Sequence, residues 1–185
     1  MKELFNNFRG YIQLNIPNIK WVILFSFAFW VLFMTMDKKN RVKHDRNFVK
    51  NIICVGLLSL SCSFVFVMTL FRRSVGLDFD FRAMPFESYY IAFTEEDMEI
   101  MLQIIINIVM FIPIGFLMPC CFRLYEKCRY VLITTVIVSI LIELFQIIFR
   151  IGLFETDDII NNVSGAMIGF GFYIMVQTMK KKPFK

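Results

Sequence analysis

The sequence predicts an all-α membrane protein built as a bundle of about five transmembrane helices, and three observations predict it. The composition is 58% hydrophobic with a mean hydropathy of +0.64, too apolar for a soluble domain that must keep a charged surface. Apolar runs recur at about 19–36, 51–71, 100–118, 130–149 and 158–177, approaching or matching the ~30 Å hydrocarbon core of a bilayer at about 1.5 Å per residue. Basic residues gather in the loops at one end of those runs.

The elements follow in order. In residues 1–18, Leu4, Phe5, Phe8, Tyr11 and Ile12 share a helical face that Pro17 ends, which predicts a short amphipathic helix on the membrane surface. Residues 19–185 then read as one transmembrane domain. The first span carries Trp21 and Trp30 and is followed by TMDKKN instead of a small-residue cleavage site, so it is read as a retained span. The 37–50 loop holds Lys38, Lys39, Arg41, Lys43, Arg46 and Lys50, the 119–129 loop holds Arg123, Lys127 and Arg129, and the tail holds Lys180, Lys181, Lys182 and Lys185. These segments are expected in the cytoplasm. The 72–99 loop is rich in Asp and Glu and the 150–157 loop is short and mostly acidic, so both are expected outside, with the N-terminus out and the C-terminus in.

The net charge of +5 abuts apolar spans, which favours the inner leaflet over nucleic acid as its partner. Five cysteines avoid both expected outer loops and read as reduced thiols. A zinc site from Cys120, Cys121 and Cys128 would want a nearby His, and His44 is in another loop. No metal site and no identified cofactor follow from the residues.

Polar groups within the spans are the informative feature, because an ionisable residue in hydrocarbon costs roughly 2.5–3.5 kcal/mol or more unless paired or watered. Glu143 and Gln146 are three apart and Arg150 four further on, which places them on one helical face. Asp158, Asn162, Gly165 and Gly169 form a stripe on the last span, and spacing leaves open whether Asp157 or Asp158 points inward. Asn107 precedes Pro113, which is expected to kink its helix near Gly115. In the expected topology all these residues converge in the outer half of the bundle. Pro85, Phe86, Tyr89 and Tyr90 then read as an aromatic interfacial loop folding back on the cluster.

The ordered segments MPFESYY, NIVMFIPIGFLMP, IELFQIIFRIG and TDDIINNVSGAMIGF resemble the VanZ-like family of bacterial membrane proteins, over roughly residues 83–173. The matching positions are Pro85, Phe86, Asn107, Pro113, Gly115, Glu143, Gln146, Asp158, Asn162 and Gly165. Ala83 stands where the family often has Asn, and Arg150 lies at a different spacing from the acids. The resemblance implies a bacterial multi-pass membrane location and a link to resistance against teicoplanin, an acyl-tailed glycopeptide, with no settled chemistry attached.

Two functions follow as expectations. The preferred one is binding: an acidic pocket open to the outer leaflet, formed by Asn107, Glu143, Gln146, Asp157, Asp158 and Asn162 with Pro85, Phe86 and Arg150, engages membrane lipid, a lipoglycopeptide antibiotic or a lipid-linked cell-wall precursor. The alternative is an intramembrane enzyme modifying a lipid or cell-wall precursor, with Glu143 as general base and Asp158 coordinating a divalent ion beside Asn162, ranked lower because the cluster has no His, no Cys and no Ser in a nucleophile motif. Gly165 and Gly169 also offer a close-approach face for a homodimer.

Overall fold

A computed structural model describes residues 19–35, 48–70, 81–152 and 154–181. The expected surface helix of residues 1–18 and the basic residues between 36 and 47 lie outside the described residues.

The helices are α1 (Ile19–Thr35), α2 (Phe48–Leu70), α3 (Glu87–Thr94), α4 (Met98–Cys121), α5 (Cys128–Ile148) and α6 (Thr156–Lys181). A 3₁₀ turn, Arg123–Glu126, joins α4 to α5. Four of these helices, α2, α4, α5 and α6, are long and apolar enough to cross a membrane. α1 is equally apolar, but its 17 residues reach only about 25 Å at 1.5 Å per residue.

Burial is inverted relative to a soluble helix. On α5, Glu143 and Gln146 are each 1% exposed while Leu141, Leu144 and Phe145 are 47%, 43% and 46% exposed. A helix that hides its acid and shows its leucines has hydrocarbon as its solvent.

The pair α4 and α6 forms the spine, and glycine is the reason. A Cβ at Gly115 would lie 2.0 Å from the carbonyl oxygen of Ala166, one at Gly165 2.1 Å from that of Ile108, and one at Gly169 2.0 Å from that of Ile112. No side chain fits there, so the backbones meet directly. The face of Gly165 and Gly169 is therefore filled by α4 of the same chain, and a contact between two copies through these glycines would have to displace it. Against this spine, α2 packs on α4, α5 packs on α6, and α1 lies along α2. The core between them is built from Val55, Leu58, Phe111, Ile114, Ile142 and Phe170.

α4 runs through both Pro113 and Pro119 without interruption. One feature has no counterpart in the sequence pattern: strands β1 (Phe81–Arg82) and β2 (Phe154–Glu155) pair in parallel, Phe81 against Phe154 and Arg82 against Glu155. Two-residue strands carry no readable periodicity, so only the folded chain reveals them.

Candidate functional site: a buried acid and amide cluster

The start of α4, the end of α5, the start of α6 and the end of α2 meet at one end of the bundle, and the β1–β2 pair and α3 close over that end. This juxtaposition gathers four acids, Glu143, Glu155, Asp157 and Asp158, at 1%, 6%, 2% and 5% exposure, with the amides Asn107, Gln146, Asn161 and Asn162 at 8% or less.

Both aspartates point inward, in different directions. α6 begins at Thr156, two residues before the expected boundary, so Asp157 and Asp158 occupy its first turn, where a carboxylate meets the positive end of the helix dipole. Asp158 Oδ1 accepts from Asn107 Nδ2 at 2.6 Å, joining α6 to α4. Asp157 faces α3: its two carboxylate oxygens accept from the backbone N–H groups of Phe86 (2.5 Å) and Ser88 (2.8 Å). One side chain thus caps a helix 70 residues earlier in the chain. Phe86 sits in the left-handed region at φ 67°, a conformation costly for a bulky residue, and the Asp157 carboxylate holds it there. Tyr89 continues the contact by donating its hydroxyl to Asn161 Oδ1. Burial, and then the charge of Asp157, push the Tyr89 phenol above its ordinary range.

Glu143 and Glu155 tie the other side. Glu143 Oε2 accepts from the backbone N–H of Glu155 at 3.0 Å, so α5 holds β2. Glu155 Oε2 accepts from Ser88 Oγ and Gln103 Nε2, both at 3.4 Å, while Oε1 lies 3.7 Å from the Arg82 guanidinium. Gln146 Nε2 donates to the Thr69 carbonyl at 3.1 Å, adding α2. Thr156 Oγ1 donates to the Ala83 carbonyl at 3.1 Å.

Most expected residues meet here. Asn107, Glu143, Gln146, Asp157, Asp158 and Asn162 are buried in the cluster, and Pro85 and Phe86 lie exposed above it. The two aspartates lie in an interior, since neither exceeds 5% exposure. The shared-face reading of Arg150 requires correction: α5 ends at Ile148, and Arg150 lies exposed in a turn at φ 52°, so helical spacing no longer aligns it with Glu143. Glu155, Ser88, Tyr89, Gln103, Asn161, Arg82 and Thr69 were not marked as site residues by spacing. Two of them carried a signal that could have found them: Glu155, an acid two residues before Asp157, and Tyr89, in the aromatic loop expected to fold back on the cluster. Among the described residues, no three Asp, Glu, His or Cys side chains are disposed to hold a metal ion.

The family model described as VanZ/LLP1 matches residues 21–177. No curated protein and no solved structure matches the chain significantly. The match extends well before the short motifs, across α1 and α2, and its residues carry the buried cluster from end to end. The chain therefore belongs to the VanZ/LLP1 family, as a helical membrane protein whose polar residues are turned inward.

Proposed function

We propose that this protein, whose family is linked to glycopeptide resistance, acts in the bacterial cell membrane by binding a lipid-like amphiphile. The ligand class is an acyl-tailed glycopeptide or a lipid-linked cell-wall precursor, held by its polar part at the acid and amide cluster. One observation carries this reading. Among the described residues, Gln146 Oε1 and Asn161 Nδ2 have no hydrogen-bond partner, although their residues are 1% and 0% exposed. Leaving such a group unpaired costs about 1–3 kcal/mol, beside neighbours such as Asp157, Asp158 and Glu143 that are engaged. An open acceptor and an open donor suit a ligand hydroxyl or amide, and the surrounding carboxylates suit an ammonium group. Resistance follows from reduced access of the antibiotic to its membrane-linked target.

The test compares Glu143→Gln and Asp158→Asn in a teicoplanin resistance assay and in equilibrium binding of labelled teicoplanin to the purified protein. Both variants are expected to lose resistance and to weaken binding at least tenfold, about 1.4 kcal/mol. Wild-type binding with lost resistance would instead favour chemistry at the cluster. Full resistance in both would leave the cluster a purely structural device.

A further inference from the structure

Beneath the cluster lies a cavity of about 290 Å³, walled by α1, α2, α4 and α5. Its walls are Phe29, Phe66, Phe111, Met118, Val138 and their apolar neighbours. The few polar groups on them are already engaged: Thr134 Oγ1 donates to the Tyr125 hydroxyl at 3.3 Å, and Thr135 Oγ1 donates to the Val131 carbonyl at 2.8 Å. A water inside would find few partners, and cavities of that kind stay dry and take up hydrocarbon.

Position relates the cavity to the site. Ile142 lines the cavity and Glu143 follows it; Phe66 lines it, and Thr69, whose carbonyl receives Gln146, lies three residues on. On both α5 and α2 the apolar space ends where the polar cluster begins. From Ile142 to Thr134 the α5 wall runs eight residues, about 12 Å at 1.5 Å per residue. Val138 lines the space and is itself 40% exposed, so at this position of α5 only one side chain stands between the cavity and the outside of the bundle.

We infer that this cavity is an acyl-chain site, and that it takes the single medium-length tail of the amphiphile whose polar part sits at the cluster. The inference rests on the binding function proposed above and adds the location and size of the tail. A cavity of ~150 Å³ accommodates one benzene ring, so a space of about twice that volume fits roughly a dozen carbons in one chain. It is too small for a two-chain lipid. The tail enters laterally past Val138, with no need to cross the headgroup layer.

The experiment uses the full chain in phospholipid nanodiscs and a decanoyl-tailed glycopeptide carrying a diazirine at the chain end. Photolysis is expected to place the label on Phe111, Met118 or Thr135, and excess unlabelled decanoyl glycopeptide is expected to remove it. Val138→Trp at the mouth and Thr135→Phe inside should each weaken binding of the tailed glycopeptide at least tenfold, while a glycopeptide without the tail binds both variants as it binds the wild type. Labelling confined to lipid-facing residues such as Ile137 and Leu141, or tailed binding within twofold of wild type in Val138→Trp, would overturn the acyl-chain site and leave the cluster's role standing. Equal labelling by a diazirine phospholipid that the glycopeptide fails to displace would overturn it too. Failure of both glycopeptides to bind the wild type would sink the glycopeptide form of the binding function, and this inference with it.

Discussion

At the residue scale, Asp157 does the most with the fewest atoms. Its carboxylate supplies two acceptors to the otherwise orphaned first N–H groups of α3 and stabilises the left-handed Phe86. Replacing it with Ala leaves the buried Ser88 N–H and the part-buried Phe86 N–H open, so Asp157→Ala is expected to lower stability by about 1–3 kcal/mol, while Asp157→Asn, which keeps one acceptor, loses less. Thermal unfolding in detergent measures both. Tyr89 gives a pH signature. Its folded pKa is raised, so its contribution to stability is complete below the unfolded value of about 10 and is lost as pH rises through the higher folded value. The wild type should therefore lose stability relative to Tyr89→Phe as pH rises above about 10, and the two melting curves should keep a constant offset below about pH 9. A constant offset across the whole range would show that Tyr89 ionises alike in the folded and unfolded chain, as a free phenol does.

At the scale of elements, two glycines on α6 separate packing from propensity. Gly169 faces α4 with no room for a Cβ, whereas a Cβ at Gly171 would meet nothing within 4 Å. Gly169→Ala forces the spine apart and is expected to cost about 1–3 kcal/mol as an overpacked contact. Gly171→Ala should be neutral or stabilise by up to about 1 kcal/mol, because alanine loses less backbone freedom in a helix. Similar melting temperatures for the two variants would remove the close α4–α6 approach as the basis of the spine. Gly165 and Gly169 were legible in the sequence as a small-residue stripe. Their partner was not, since the stripe fits a second copy as well as it fits α4.

At the scale of the whole molecule, the β1–β2 pair makes a topological demand. Met84 follows β1 and Arg150 precedes β2, both are exposed, and the strands pair directly, so both residues must lie on one side of the membrane. The 3₁₀ turn containing Glu126 must lie on the other. In a chain lacking its five native cysteines, Met84→Cys and Arg150→Cys should react with a membrane-impermeant thiol reagent added to intact cells. Glu126→Cys should react only after permeabilisation. The reverse pattern would invert the proposed orientation, and labelling of Met84→Cys and Arg150→Cys from opposite sides would break the cluster itself.

What the sequence determined by itself was the position of the apolar helices, four of them long enough to cross a membrane, and the identity of the anomalous residues. Hydropathy and helical length are one-dimensional properties, so the apolar runs of α1, α2, α4, α5 and α6 could be read within a few residues, and an acid such as Glu143 inside such a run announces itself by its desolvation cost. The tertiary structure decided how those residues are used. It turned Asp157 toward α3 and Asp158 toward Asn107, brought in Glu155 through a strand pair 73 residues apart in register, took Arg150 off the α5 face, and set an apolar cavity beneath the acids. Each of these depends on partners 50 or more residues away, or on a helix ending where a turn requires it. Local periodicity encodes which face is polar, and only the packed bundle specifies what that face meets.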